Sequence, residues 1–278
     1  MAELPEIYQL STQMNDSLTG KQIERVEIKQ EKCCNVSGLV FSSRVIGSTV
    51  KAVQNKGKGI IVSLSNGENM LISLGMGGDL LYFEHISSNP VQEKYQFLIQ
   101  FQDGTGFSIR FWWFGKVYIA NEQEIKEEKS IKDIAFTPFD EEFTYDYIRR
   151  LVNGKKAGIK SFLLNQKNVG GIGNMYIHDI LFESGIHPQK KVSDLSEEEV
   201  KNLYDSMQEQ LHHSLSKGSF SLEKDFYGHN GGYSTSDFQI AYKKGEPCPR
   251  CGETIQSIKT GSTTSYFCPA CQRLSKTE

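Results

Sequence analysis

The spacing of apolar residues changes twice along this chain. Near the start, Ile7, Leu10 and Met14 fall three and four residues apart, on one helical face. Pro5 suits a first helical position and Gly20 a stop, so the pattern predicts a helix over 5–18. From 21 to 120 the apolar runs are short or alternating, at 23–28, 60–64, 70–72, 95–99 and 107–111. These read as strands. Asn66-Gly67 and Asp103-Gly104 stand between such runs, and both dipeptides favour tight hairpin turns. Hairpin-linked strands predict an antiparallel sandwich or barrel. Past Thr137-Pro138 the helical period returns, to about Gly218. Ser196 and Glu199 form a capping box ahead of a stripe of Val200, Leu203, Tyr204, Met207, Leu211 and Leu215. That stripe reads as core packing. A Gly- and Ser-rich stretch from Gly218 to Asp237 is long for a connection, which marks it as either mobile or functional.

Composition narrows the picture. The chain has 278 residues, 38% of them hydrophobic, enough for a core and for one to three domains. No run approaches the length of a membrane span. The opening Met-Ala-Glu-Leu-Pro-Glu lacks a signal peptide's basic and apolar parts, so a cytoplasmic protein is expected. The net charge of −3 speaks weakly against nucleic acid, because the location of charge matters more than its total. From 243 to 278 six basic residues face three acidic ones, leaving the tail at +3 and the rest at −6. A second basic group comprises Lys155, Lys156, Lys160 and Lys167. Both could be plain solvated surface.

Three segments carry candidate chemistry. The strongest is Cys248-x-x-Cys251, sixteen residues, then Cys268-x-x-Cys271. Two such turns complete a tetrahedral site, and four cysteines leave no open position, so one structural zinc per chain is expected. A redox pair or unrelated thiols are the other readings. Residues 255–267 look like a two-stranded finger around Gly261, able to present Lys259 to a phosphate backbone. Metal binding would supply its folding energy. The second segment runs from Asn165 to Tyr176, where three glycines in four residues separate two helices and expose backbone N–H groups suited to phosphate. A plain helix–helix connection would look similar. The third is the amino terminus. Ala2 is small, so loss of Met1 is expected. A free α-amine, with a pKa near ~7.7–8 against ~10.4 for lysine, is a competent nucleophile at neutral pH. Glu3 and Glu6 stand beside it for proton transfer. Cys33 and Cys34 read as ordinary free thiols.

In this order, the three segments resemble the formamidopyrimidine-DNA glycosylase/endonuclease VIII family over nearly the whole chain. The opening matches with Ala2 in place of proline. Lys58 and then Leu74-Gly75-Met76 match an essential lysine and the loop after it. Phe114-Gly115 matches a second DNA-probing loop. Asn165 to Tyr176, with Gly185-Ile186-His187-Pro188, matches a helix–two-turn–helix, and Gly245 to Gln272 matches the zinc finger. The resemblance implies an α+β multidomain fold: an antiparallel β-sandwich with a flanking helix over 1–135, a helical helix–two-turn–helix domain over 136–240, and a zinc finger over 241–278.

It also implies base-excision chemistry on double-stranded DNA bearing an oxidised base, an abasic site or an unusual structure, by a monomer associated with the nucleoid. The terminal amine would attack C1′ of an everted nucleotide, and the Schiff base would then eliminate. Glu3 would move protons for the sugar. Lys58 and Asn174 would bind phosphate, with Lys160 and Lys259 as further DNA contacts. Met76 and Phe114 would fill the gap left by the base. Four residues depart from the pattern. Ala2 replaces proline, making the nucleophile a primary amine. Ser73 replaces His. Trp112 replaces an Arg and can stack but not hydrogen-bond an orphaned base. Thr263 replaces the finger's phosphate-clamping Arg. The reading adopted is a glycosylase/abasic-site lyase. The departures keep open a catalytically weak or inactive DNA-binding protein, and a zinc module that binds only protein is a third class.

Overall fold

The computed structural model describes residues 2–90, 94–128 and 131–274. Met1 lies outside the described residues, as do Lys276 and Glu278 of the basic tail. The chain forms two compact units: residues up to 133 with 217–232, and 134–216 with 233 onward.

The first unit opens on α1 (Leu4–Leu18), with Pro5 in its first turn. Eight strands follow: β1 (Ile23–Ile28), β2 (Val50–Lys56), β3 (Gly59–Leu64), β4 (Glu68–Ser73), β5 (Gly78–Phe83), β6 (Phe97–Phe101), β7 (Gly106–Phe111) and β8 (Lys116–Asn121). They make two antiparallel sheets, ordered β1-β6-β7-β5 and β2-β3-β4-β8. Side chains alternate between faces along a strand. Ile60, Val62, Met70 and Ile72 of one sheet therefore share a core with Phe97, Ile99, Phe107 and Ile109 of the other. The intervening Ile61 and Leu71 turn outward to pack on Ile131, and Leu81, Phe83 and Leu98 pack on Tyr95. Filled outer faces explain why these strands look like continuous apolar runs in the sequence. The two predicted hairpin turns carry Gly67 at φ 85° and Gly104 at φ 87°, values that glycine tolerates best. Two short helices, α2 (Gly38–Val45) and α3 (Glu122–Glu127), and single helical turns at Glu31–Cys33 and Ile86–Ser88 flank the sheets. Strand β2 escapes the sequence reading because a register shift after Val50 spaces its two buried residues, Val50 and Val53, three apart.

The second unit holds α4 (Tyr145–Val152), α5 (Ile159–Leu164), α6 (Ile177–Glu183), α7 (Glu197–Ser216) and a hairpin of β9 (Gln256–Thr260) and β10 (Thr263–Phe267). The capping box forms as expected: Ser196 N donates to Glu199 Oε2 at 2.8 Å and Glu199 N to Ser196 Oγ at 3.2 Å. Val200, Leu203, Met207 and Leu211 are buried, while Tyr204 and Leu215 are half-buried.

The units differ from the sequence boundaries in two places. Residues 217–232 return to the first unit, although the flanking helix belongs to the second. The cysteine hairpin does not stand apart: Cys248, Ile255 and Cys268 share a cluster with Phe182 of α6 and Ile240. An element this small gains its apolar cover from a neighbour.

Candidate functional site

In the first unit, the start of α1 is closed in. Ala2, Glu3 and Glu6 are 4%, 1% and 3% exposed. The Glu6 carboxylate accepts from Glu3 N at 2.8 Å and from Phe220 N at 3.2 Å. It ties the beginning of the chain to the Gly- and Ser-rich segment. Glu6 thereby positions the Glu3 backbone and that segment, a contact that its place in the sequence beside Ala2 did not signal.

The segment 217–232 is ordered rather than loose. Its ends meet where Gly232 N donates to Lys217 O at 2.7 Å, and a Cβ at Gly231 would lie 2.0 Å from Ser219 O. Phe226 sits in the sandwich core, with its N–H on Gln13 Oε1 and its carbonyl on Tyr82 N. Ser219 is held at φ 66°, and its buried hydroxyl has no partner among the described residues. A strained residue with an unsatisfied buried hydroxyl is a functional signal that composition alone had not located.

A second feature emerges from one end of the β2-β3-β4-β8 sheet. Gly59, Ser73 and Lys116 pair side by side across β3, β4 and β8. Lys58 on the β2–β3 turn, the 74–77 loop and the 112–115 loop therefore share that end. The two loops interlock: Met76 N donates to Trp113 O and Trp112 N to Gly77 O, both at 2.9 Å. A Cβ on Gly75 would lie 2.3 Å from Trp113 O, so the close approach needs glycine. Phe114 is held at φ 59°. This bracing presents Met76, Trp112, Trp113 and Phe114 to solvent at 52%, 43%, 66% and 83% exposure. Rigid, exposed aromatic rings are suited to stacking on unpaired bases. Trp113 was not singled out in the sequence, although the Trp-Trp-Phe run signals it. Ser73 is an ordinary strand residue at the root of this platform.

In the second unit, Gln166 braces the Gly-rich turn. Its amide donates to Ile172 O at 2.9 Å and accepts from Gly171 N at 2.8 Å. Gly170 is pressed against Ala135, where a Cβ would lie 2.5 Å from the carbonyl oxygen. Asn174 follows, half-buried, and its buried Oδ1 has no hydrogen-bond partner among the described residues. An amide oxygen only accepts, so a phosphate at this turn would be met by the Nδ2 end of the same carboxamide.

Lys160 departs from its expected place on the surface. It is fully buried, and its Nζ donates to Thr264 O at 2.6 Å. Burial pulls its pKa down to about 8. His178 beside it is held down to about 3 by burial and by Lys160, and its Nδ1 accepts from Tyr266 N at 3.3 Å. The two side chains thus occupy alternate backbone groups on the free edge of β10. Asp179 accepts from the N–H groups of Gln239, Ile240 and Ala241 at 2.9–3.0 Å. Burial raises the Asp179 pKa, against those hydrogen bonds. Lys160 and His178 thus dock the hairpin on α5 and α6, while Asp179 fixes the 239–241 segment ahead of it. Lys259 is exposed near the hairpin turn, whereas the Thr263 hydroxyl donates within that turn to Thr260 O at 3.3 Å.

The sulfur atoms of Cys248, Cys251, Cys268 and Cys271 lie within 4.8 Å of one another, with 3.9 Å between Cys248 and Cys271 and 3.5 Å between Cys251 and Cys268. Zinc–sulfur bonds of ~2.3 Å in a tetrahedron place sulfurs roughly 3.8 Å apart, so this set fits zinc and offers it no open position.

Comparison with known proteins places these features in one context. A family model described as the formamidopyrimidine-DNA glycosylase N-terminal domain matches residues 1–145. The corresponding H2TH domain model matches 134–225, and a zinc finger found in FPG and IleRS matches 245–274. A formamidopyrimidine-DNA glycosylase from a Wolbachia of Brugia malayi is 32% identical, covering 98% of this chain and 100% of its own. One from Mycoplasma mobile is 30% identical, covering 99% and 100%. Among solved structures, Lactococcus lactis Fpg with abasic-site DNA has a TM-score of 0.86 at 26% identity, covering 98% and 100%. The same protein with Fapy-dG-containing DNA matches equally well, with a TM-score of 0.86. No helix among the described residues is long and apolar enough to cross a membrane.

Proposed function

The chain belongs to the formamidopyrimidine-DNA glycosylase family, and on that premise we propose that the Ala2 amine, freed by loss of Met1, is the nucleophile of a base-excision reaction. The family is one of DNA glycosylases and abasic-site lyases with a zinc finger, and this chain is such an enzyme by membership. The proposal concerns how it works. The single observation that carries it is the enclosure of Ala2, Glu3 and Glu6, with segment 217–232 tied to Glu6.

In this reading the unprotonated amine bonds to C1′ as the bond to the base breaks, and the base leaves with a proton. Ring opening gives the imine, with Glu3 protonating the sugar oxygen. Loss of a C2′ proton then expels the 3′ phosphate. The α-amine needs no large pKa shift for this at neutral pH. A primary amine lacks the pyrrolidine ring that would fix its torsion, so attack is less well organised. Cleavage at abasic sites should therefore outlast excision of an intact damaged base. The Ser219 hydroxyl and the backbone around it would line the space that receives the base.

Lys58 and Asn174 would bind phosphates, with Lys259 as an exposed helper. Trp112, Trp113, Phe114 and Met76 would occupy the gap left in the duplex. One zinc ion would hold the hairpin. The substrate is duplex DNA with an oxidised base or abasic site, met in the cytoplasm or nucleoid by a monomer.

A second reading, a DNA binder of weak or absent activity, is favoured by Thr263, whose hydroxyl is occupied within its own turn. Borohydride reduction on abasic-site duplex separates the two. The enzyme should be captured as a covalent adduct. A protein that binds this DNA but leaves no adduct belongs to the second reading.

A further inference from the structure

Cys33 and Cys34 close the short turn Glu31–Cys33 beside the sandwich core. Cys33 is 5% exposed and packs in that core, while Cys34 is half-buried. Their sulfurs lie 3.8 Å apart, and the Cys33 sulfur lies 2.9 Å from Gln30 O. This pair is braced against β8. The Cys34 backbone pairs with Val117, and the Asn35 carboxamide grips Ile119, donating to its carbonyl at 2.8 Å and accepting from its N–H at 3.0 Å. Strand β8 begins at Lys116, directly after the 112–115 loop. That loop carries both tryptophans of the chain.

We propose that Cys33 and Cys34 are a vicinal dithiol oxidised by peroxides to a disulfide, and that this modification alters the aromatic loop through β8. The inference stands apart from the identity of the nucleophile. One thiolate attacks an oxygen of hydrogen peroxide, the O–O bond breaks, and the leaving hydroxide takes up the proton that the thiol had released, giving a sulfenic acid and water. The neighbouring thiol then attacks that sulfur, expelling a second water as the S–S bond forms. Two electrons pass from the pair to the peroxide. Proximity supports the second step, because the resolving thiol is already in contact. The thiol–thiol contact favours the thiolate of one member of the pair at the expense of the other, and the half-buried Cys34 is the more accessible of the two. Closing the bond draws the sulfurs together by roughly 1.8 Å, to the ~2.05 Å of a disulfide. That movement occurs where the turn is clamped to Val117 and Ile119.

The test uses the zinc-loaded protein, because its four other cysteines are then held by metal. After a hydrogen peroxide pulse, remaining thiols are blocked with N-ethylmaleimide and the protein is digested with trypsin. Cleavage after Lys32 and Arg44 releases peptide 33–44, which contains this pair and no zinc ligand. The peptide should carry no maleimide and weigh about 2 Da less than its reduced form. Dithiothreitol should restore two alkylatable thiols. Tryptophan emission, which reports only on the loop, should shift with the same peroxide dependence and return on reduction. Cys34→Ser, checked for zinc content and thermal stability, should lose both responses. Three results would overturn the proposal: a peptide that keeps both thiols while zinc is released, sulfinic acid on one cysteine in place of the disulfide, or a disulfide that leaves the emission unchanged.

Discussion

Lys58 and Lys160 both stand where the sequence marks a contact with phosphate, and the two units place them in opposite settings. Lys58 is half-buried on the β2–β3 turn, at the sheet end that also presents four large exposed side chains. Lys160 is closed over, its ammonium used on the backbone of the zinc hairpin. The first unit keeps the start of α1 inside and Met76, Trp112, Trp113 and Phe114 outside. The second places Lys160 and His178 inside to fix the orientation of a small hairpin, with Asp179 holding the segment that leads into it. A lysine in a basic stretch is therefore not by itself a nucleic-acid contact. The depth of its element decides what it serves.

Breaking the hairpin is the severest test of this contrast. Structural zinc in finger peptides is worth ~10–16 kcal/mol of apparent binding energy, and that energy is folding energy. Metal analysis should find one zinc per chain. Cys248→Ser should lose the metal, lower the melting temperature and lose DNA binding. Metal-free protein that binds abasic-site duplex normally would show that the hairpin is dispensable.

Lys160→Met probes the same region more gently. The Lys160 pKa is lowered to about 8 in the folded protein, from an ordinary ~10.4 in the unfolded chain. Between those values the unfolded state binds more protons, so the lysine's contribution to stability rises with pH. Relative to Lys160→Met, wild-type stability should improve by about 1–3 kcal/mol from pH 8 to pH 10, read from denaturant melts. A flat difference would mean that Lys160 is not held as described. The same substitution should leave the salt dependence of DNA binding nearly unchanged.

At the exposed end of the comparison the pattern should invert. Lys58→Ala should leave the melting temperature alone. It and Asn174→Ala should each weaken abasic-site duplex binding by roughly 1–3 kcal/mol, the cost of a hydrogen bond to a charged phosphate. Wild-type affinity should fall steeply with salt as counterions are released, and Lys58→Ala should reduce that slope by about one. Trp112→Ala carries the smallest expected effect. It should lose about 1 kcal/mol, the low end of base–aromatic stacking because Trp113 and Phe114 remain, equally for every base opposite the lesion, because an indole offers that base a ring face rather than a bidentate hydrogen bond. Strong discrimination between opposing bases would contradict that assignment.

Much of this was legible beforehand, for identifiable reasons. The four cysteines constrain each other through ligand spacing, so their cluster follows from sequence. Helix α1, the two Gly-centred hairpins and the Ser196–Glu199 cap depend on neighbours within a few residues. What was missed depends on distant contacts. Nothing local tells Phe226 to fill the sandwich core, and so the return of 217–232 to the first unit was not foreseen. The burial of Lys160 depends on Thr264, more than a hundred residues away. In the sequence Glu6 stands beside Ala2, available for proton transfer. Its bonds to Glu3 and Phe220 appear only when segment 217–232 is in position.

The central claim is that the enclosed first turn supplies the nucleophile. The direct test is to reduce the complex with abasic-site duplex using borohydride, after confirming that Met1 is absent, and to map the adduct by peptide mass. A single adduct on the Ala2 amine is expected, lost when Met1 is retained. An adduct on Lys58, or none from protein that still binds the duplex, would contradict it.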